Sequence, residues 1–161
     1  MKVTLGRLAN AMTDPLNPVT GEPLLDDEGK KVEAPLSRLI KEADEGKMCV
    51  RTKFHILKVF RLVVAEMESY QKARNGLFEK YGEKGEGDSW SVKPDSPKWE
   101  EFVKEHSELS ETEVELDVDV IVLPADNTAV KITTIAALEG MVTMRGMEDD
   151  KPALKVVKKE D

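Results

Sequence analysis

Residues 52–81 read TKFHILKVFRLVVAEMESYQKARNGLFEKY. Ile56, Phe60, Val63, Met67, Tyr70, Leu77 and Tyr81 recur in steps of four and three, apart from one break at Arg74. Residues so spaced share one face of a helix. No proline interrupts the run, and Gly76 is its only weak helix former. The spacing predicts one helix from Thr52 to Tyr81, about 45 Å long, with Thr52 as its N-cap. Its first half is apolar nearly all round, through Phe54, Ile56, Leu57, Val59, Phe60, Leu62, Val63 and Val64. Only Lys58 and Arg61 keep a polar strip there, so several neighbours are expected to bury this half. The second half is amphipathic and carries a single seam, Met67, Tyr70, Arg74, Leu77 and Tyr81. Its heptad-like spacing suits a coiled-coil contact with a second copy. It suits equally well packing against Leu36–Ala43 and Trp99–His106 of the same chain. An oligomer joined along this seam is the expectation.

The flanking stretches read outward from that helix. Met1–Leu5 alternates as a short strand, and Arg7–Met12 fits a short helix. Residues 13–35 hold Pro15, Pro18, Gly21, Pro23, Gly29 and Pro35, which reads as a surface insertion with a hairpin around Asp26-Asp27-Glu28-Gly29. Pro35–Ala43 is a helix with proline in its first turn and Gly46 behind it, followed by an extended link at Val50. Gly82, Gly85 and Gly87 end the long helix in a polar loop. Pro97–His106 is a short helix that Ser96 can cap, with Trp99, Phe102, Val103 and His106 on one side. Glu113–Leu123 alternates Val114, Leu116, Val118, Val120 and Val122 with mostly acidic residues, the pattern of a half-buried strand. Pro124 ends it, and Ala125-Asp126-Asn127 is a turn. Ile135–Glu139 is a short helix with Gly140 behind it, and Met141–Met147 fits neither period. The fold class is therefore α+β: a small antiparallel sheet, including Glu113–Leu123 and Met1–Leu5, packed on one long central helix with short flanking helices. Residues 1–147 form a single domain, and 148–161 a loosely held charged tail.

A chain of 161 residues fits one domain with a real core. Its single cysteine, Cys49, excludes an intramolecular disulfide and points to a reducing compartment. The N-terminus has no apolar run of signal-peptide length, and no stretch approaches the ~18 apolar residues of a membrane span. A cytoplasmic location without membrane contact is expected. The net charge of −8 is concentrated: residues 99–126 hold ten acids and one base. Direct contact with nucleic acid is not expected from such a segment.

Catalytic and metal-binding signatures are not apparent. His55 and His106 stand in no metal-ligand spacing with Cys49. There is no GxSxG, GxGxxG or phosphate-binding glycine loop. No catalytic residue, metal or cofactor is assigned, and the chain is read as a non-enzyme. The main charged constellation is the acidic ladder Glu113, Glu115, Asp117 and Asp119. On one strand its neighbours would lie about 6.6–6.8 Å apart. Such a ladder can face a basic protein partner, imitate a run of phosphates or hold cations, or simply keep an edge strand from pairing. Arg74 among Tyr70, Leu77 and Tyr81 can pair with a carboxylate of a second copy, bind a small anionic ligand, or lie over its apolar neighbours.

MKVTLGRLANAM (Met1–Met12), the helix Lys53–Gly82 ending in Lys-Tyr-Gly, the acidic Glu108–Leu123 with its Glu-Val steps, and Ile135–Leu138 occur in an order that resembles a family of small bacteriophage proteins of unknown function. Against that pattern Thr13–Pro35 looks like an insertion. The family lends no catalytic residue. The resemblance implies a phage origin and action in the cytoplasm of an infected host. The expected function is non-catalytic binding in counter-defence or host takeover, either by blocking a host protein or by sequestering a small signal molecule. Virion morphogenesis or a tail-associated role is the alternative, with a host or phage protein as partner. An enzyme using carboxylate chemistry stands third.

Overall fold

One uninterrupted helix runs from Val50 to Tyr81 in the computed structural model, which describes residues 1–18, 20–46, 48–85, 89–125 and 129–145. Gly87, Asp126, Asn127, Met147 and the tail 148–161 lie outside the described residues. In chain order the elements are β1 (Lys2–Thr4), α1 (Leu5–Met12), α2 (Pro35–Glu45), α3 (Val50–Tyr81), β2 (Glu83–Lys84), β3 (Trp90–Ser91), α4 (Trp99–Glu111), β4 (Glu113–Glu115), β5 (Ile121–Leu123), α5 (Ile132–Ala137) and β6 (Val142–Met144). The fold is α+β, with small two-stranded sheets and shorter helices packed on α3.

The core follows the spacing of α3. Ile56, Val59, Val63, Met67 and Tyr70 are buried in steps of three and four. Leu5, Leu8 and Ala11 of α1 and Leu36, Leu39 and Ala43 of α2 close over them. α3 begins at Val50 because Cys49, in extended backbone, takes the N-cap position; Thr52 lies inside the first turn. The link expected at Val50 is thus helical. The proline- and glycine-rich stretch before α2 holds its turn through Asp26, whose Oδ1 accepts from the backbone N–H groups of Glu28 and Lys30 at 3.0 and 2.8 Å. Gly29 supplies the positive φ, 76°, that the turn requires. Asp14 Oδ1 then ties the loop to the start of α2 by accepting from Ala34 N–H at 2.8 Å.

β1 pairs antiparallel with β4, Val3 opposite Val114. The single strand expected over Glu113–Leu123 is instead two strands separated by a bend. The amino nitrogen of Met1 donates to the carbonyls of both Leu116 and Val118, at 2.8 and 2.7 Å. Two carbonyls two residues apart are drawn to one nitrogen, and the chain curls, with Val118 N–H bonded back to Leu116 O. The alternation then slips by one: Leu116 is buried before the bend, whereas Ile121 and Leu123 are buried after it and Val122 faces out. A slip of one residue exchanges the faces of a strand. β5 next pairs in parallel with β6, Val122 opposite Thr143. Parallel neighbours need a crossover, and α5 lies on it. Glu42 of α2 anchors that helix: its carboxylate accepts from Lys131 N–H at 2.9 Å and from the buried Thr134 hydroxyl at 3.1 Å.

Gly46 closes α2 with φ −79°, so left-handed backbone is not what requires glycine there. A Cβ would collide with Ala129, lying 2.8 Å from its Cα. Gly46→Ala should therefore destabilise the fold by about 1–3 kcal/mol, read as a lower urea midpoint at unchanged m-value.

Candidate binding groove

The first turns of α3 and the bend after β4 face each other. From the helix come Arg51, Phe54, His55 and Lys58; from the end of β4 comes Glu115, from the bend Asp117 and Asp119, and Met1 lines the groove as well. They line a groove of about 650 Å³. A second hollow of about 420 Å³ continues it past Cys49 to Pro124 and Arg145, sharing Arg51, His55 and Asp119. His55 Nε2 lies 3.0 Å from the carbonyl oxygen of Asp119. A carbonyl only accepts, so the Nε2–H tautomer donates here. This bond ties the bend to α3, and the two from Met1 tie it to the start of the chain. The groove therefore has one wall carrying bases and an aromatic ring and another carrying carboxylates.

The acidic ladder is placed as two halves. Glu113 and Glu115 share the exposed face of β4, while Asp117 and Asp119 are exposed on the bend. They are not four rungs of one strand, because the Met1 contacts interrupt the extended backbone. Glu115, Asp117 and Asp119 line the groove together with Arg51, His55 and Lys58, with no ion pair between the two sets among the described residues. Among the described residues no group of three or more His, Cys, Asp or Glu side chains could hold a metal ion.

The seam of α3 is covered inside the same chain along much of its length. Met67 and Tyr70 belong to the core, and Tyr81 is buried beside α4. Ser110 Oγ donates to His106 O at 2.9 Å, so at the 3.3 Å contact the Tyr70 hydroxyl is the donor to Ser110 Oγ. Tyr81 OH donates to Glu105 at 2.8 Å, and Lys80 Nζ reaches both Glu105 oxygens at 2.7 and 2.9 Å. Lys80 first, then Tyr81, holds the Glu105 carboxyl below the usual carboxylate range. Phe102 sits at the centre of an aromatic cluster with Phe78, Tyr81, Trp99 and His106, at centroid distances of 5.1–6.3 Å. His106 is thus a stacking partner in the middle of α4, because that helix continues to Glu111. Leu77 is half-buried, and the exposed Arg74 lies over the Phe78 ring of its own helix at 5.3 Å.

The expectation that the first half of α3 is buried on all sides is not met. Val50 is 82% exposed, Phe54 67% and Leu57 42%. Arg51, Phe54 and Lys58 are the groove residues that periodicity did not single out. A signal for them was present: residues 50–65 contain Arg51, Lys53, Lys58 and Arg61 and no acid. No family model, curated protein or solved structure matches the chain. Among the described residues no helix is long and apolar enough to cross a membrane.

Cys49 stands exposed at the rim, Sγ 3.1 Å from Thr52 Oγ1. The Thr52 hydroxyl, then the Thr52 N–H, with smaller help from the Arg51 N–H and charge, holds the thiol pKa below its ordinary value against a small desolvation effect. The thiolate is the reactive form, so a lowered pKa moves the rise of alkylation to lower pH. The iodoacetamide rate of Cys49 should reach its half-maximum below the pH typical of a free cysteine. Thr52→Val should move that midpoint upward.

Proposed function

We propose that this chain is a non-catalytic bacteriophage protein that acts by binding inside the infected host, in counter-defence or host takeover. The observation that carries the reading is the groove between α3 and the Glu115–Asp119 bend, with apolar side chains standing in solvent on the same turns of helix. A folded chain spends stability to leave Phe54 and Val50 exposed, and such a patch rimmed by charges is the usual mark of an interaction site. The resemblance of Met1–Met12, Lys53–Gly82 and Glu108–Leu123 to small phage proteins supplies the setting, the host cytoplasm.

Of the two ways to act, blocking a host protein is better supported than sequestering a small signal molecule. The groove is open along its length, and its aromatic ring faces outward, whereas small-molecule pockets bury most of their ligand. The proposed form is an oligomer. The seam Met67, Tyr70 and Tyr81 is occupied within one chain, so a second copy would have to use another surface.

Tagged protein incubated with host lysate should retain a defined host protein, and Arg51→Glu with Phe54→Asp should release it. Recovery of nothing above the variant's background would sink the reading. Stoichiometric presence of the chain in purified virions would favour the assembly role instead.

A further inference from the structure

We propose that the outer face of the first half of α3, together with α2, docks an acidic amphipathic helix from a partner protein. This rests on the binding reading above and names the partner's chemistry. Val50, Phe54 and Leu57 follow one another at steps of four and three, forming an apolar ridge along the helix. Leu57 stands between two hollows. One, of about 230 Å³, is walled by Phe54, Lys58, Arg61 and Leu62. The other, of about 380 Å³, lies between the helices and is walled by Ser37, Ile40, Ala43 and Ile56. A ridge flanked by side-chain-sized hollows is the complement of a second helix, whose residues at i, i+3 or i+4, and i+7 enter the hollows.

Charge selects the kind of helix. Around the ridge Lys41 is tied to Glu33 at 3.5 Å and Lys53 to Asp44 at 2.8 Å. Lys58 and Arg61 have no ion pair or hydrogen bond of their side chains among the described residues. Two unmatched cations beside an apolar ridge are complemented by carboxylates flanking an apolar stripe. A flat anionic lipid surface fits less well. It would leave both hollows unfilled.

The test uses the full chain and two synthetic helical peptides of equal length with leucines at i, i+3, i+4 and i+7. One is flanked by glutamates and the other by lysines, and binding is read by fluorescence anisotropy. The glutamate peptide should bind, at least roughly tenfold tighter than the lysine peptide, and its affinity should fall with salt. Lys58→Glu with Arg61→Glu should lose the glutamate peptide and gain the lysine one. Because that variant gains a ligand, its failure to fold cannot mimic the result. Equal binding of both peptides, or binding of neither, overturns the proposal. So does a Phe54-dependent dimer in sedimentation, or Phe54-dependent binding to phosphatidylserine vesicles. If host-protein retention survives Lys58→Glu with Arg61→Glu while the glutamate peptide fails, this inference falls and the binding reading stands. If no host protein is retained at all, the binding reading falls.

Discussion

The structure depends on covering one face of α3. Ile56, Val59 and Val63 are almost wholly removed from solvent, and each such side chain contributes about 1.5–3 kcal/mol relative to exposure. Among the described elements no other is long enough to touch α1, α2, α4, β2, β3 and β5 at once, as this helix does. Most of the stability of a protein helix, this one of 32 residues included, comes from packing its apolar face rather than from helix propensity. The short elements depend on it in turn, since strands of two or three residues cannot hold a sheet together by themselves. α3 and its neighbours are therefore mutually required, with the buried stripe as the common surface.

The two ends of that helix are stabilised differently. Toward Tyr81 the cover is aromatic and polar: Phe78, Phe102 and Tyr81 pack together, and Tyr70 and Tyr81 send their hydroxyls to Ser110 and Glu105. Buried tyrosines keep a polar tip satisfied in this way, so this end is both packed and closed. Toward Val50 the cover is one-sided. α1 and α2 take the inner face, the bend leans against His55, and the outer face stays in water. The proposed recognition is placed at that end because the fold leaves its outer apolar face uncovered.

Charge is distributed on the same plan. The acids of 99–126 dominate the net charge, yet in three dimensions Glu115, Asp117 and Asp119 sit across from Arg51, His55 and Lys58. A count along the chain suggested an acidic surface, open to solvent, to edge protection or to a basic partner. In the folded chain that surface has a basic opposite wall, and Lys58 belongs both to that wall and, with Arg61, to the hollow beside Phe54 and Leu57. The net charge therefore does not predict the sign of the surface that stands beside the exposed apolar residues.

Several features were legible in the residues alone because they are local. The step of three and four marked α3 and α2, proline and glycine marked the loop before α2 and its turn at Asp26–Gly29, and the alternation in 113–116 marked the strand that pairs with β1. Features that depend on distant partners were not legible. A helix that is apolar nearly all round does not say which side its neighbours will reach, so the exposure of Val50, Phe54 and Leu57 appears only in the fold. The strand read from 113 to 123 is bent by an amino group 115 residues away in sequence, and nothing near Leu116 announces it. Gly46 was visible as a helix end, but the close approach of Ala129 that demands glycine was not. The amino-acid sequence by itself determined the long helix, the α+β class and which residues repeat along each element, because periodicity is set by the backbone of that element. Only the tertiary structure decided which apolar faces are covered and which basic and acidic walls meet, because coverage belongs to pairs of elements that touch in space.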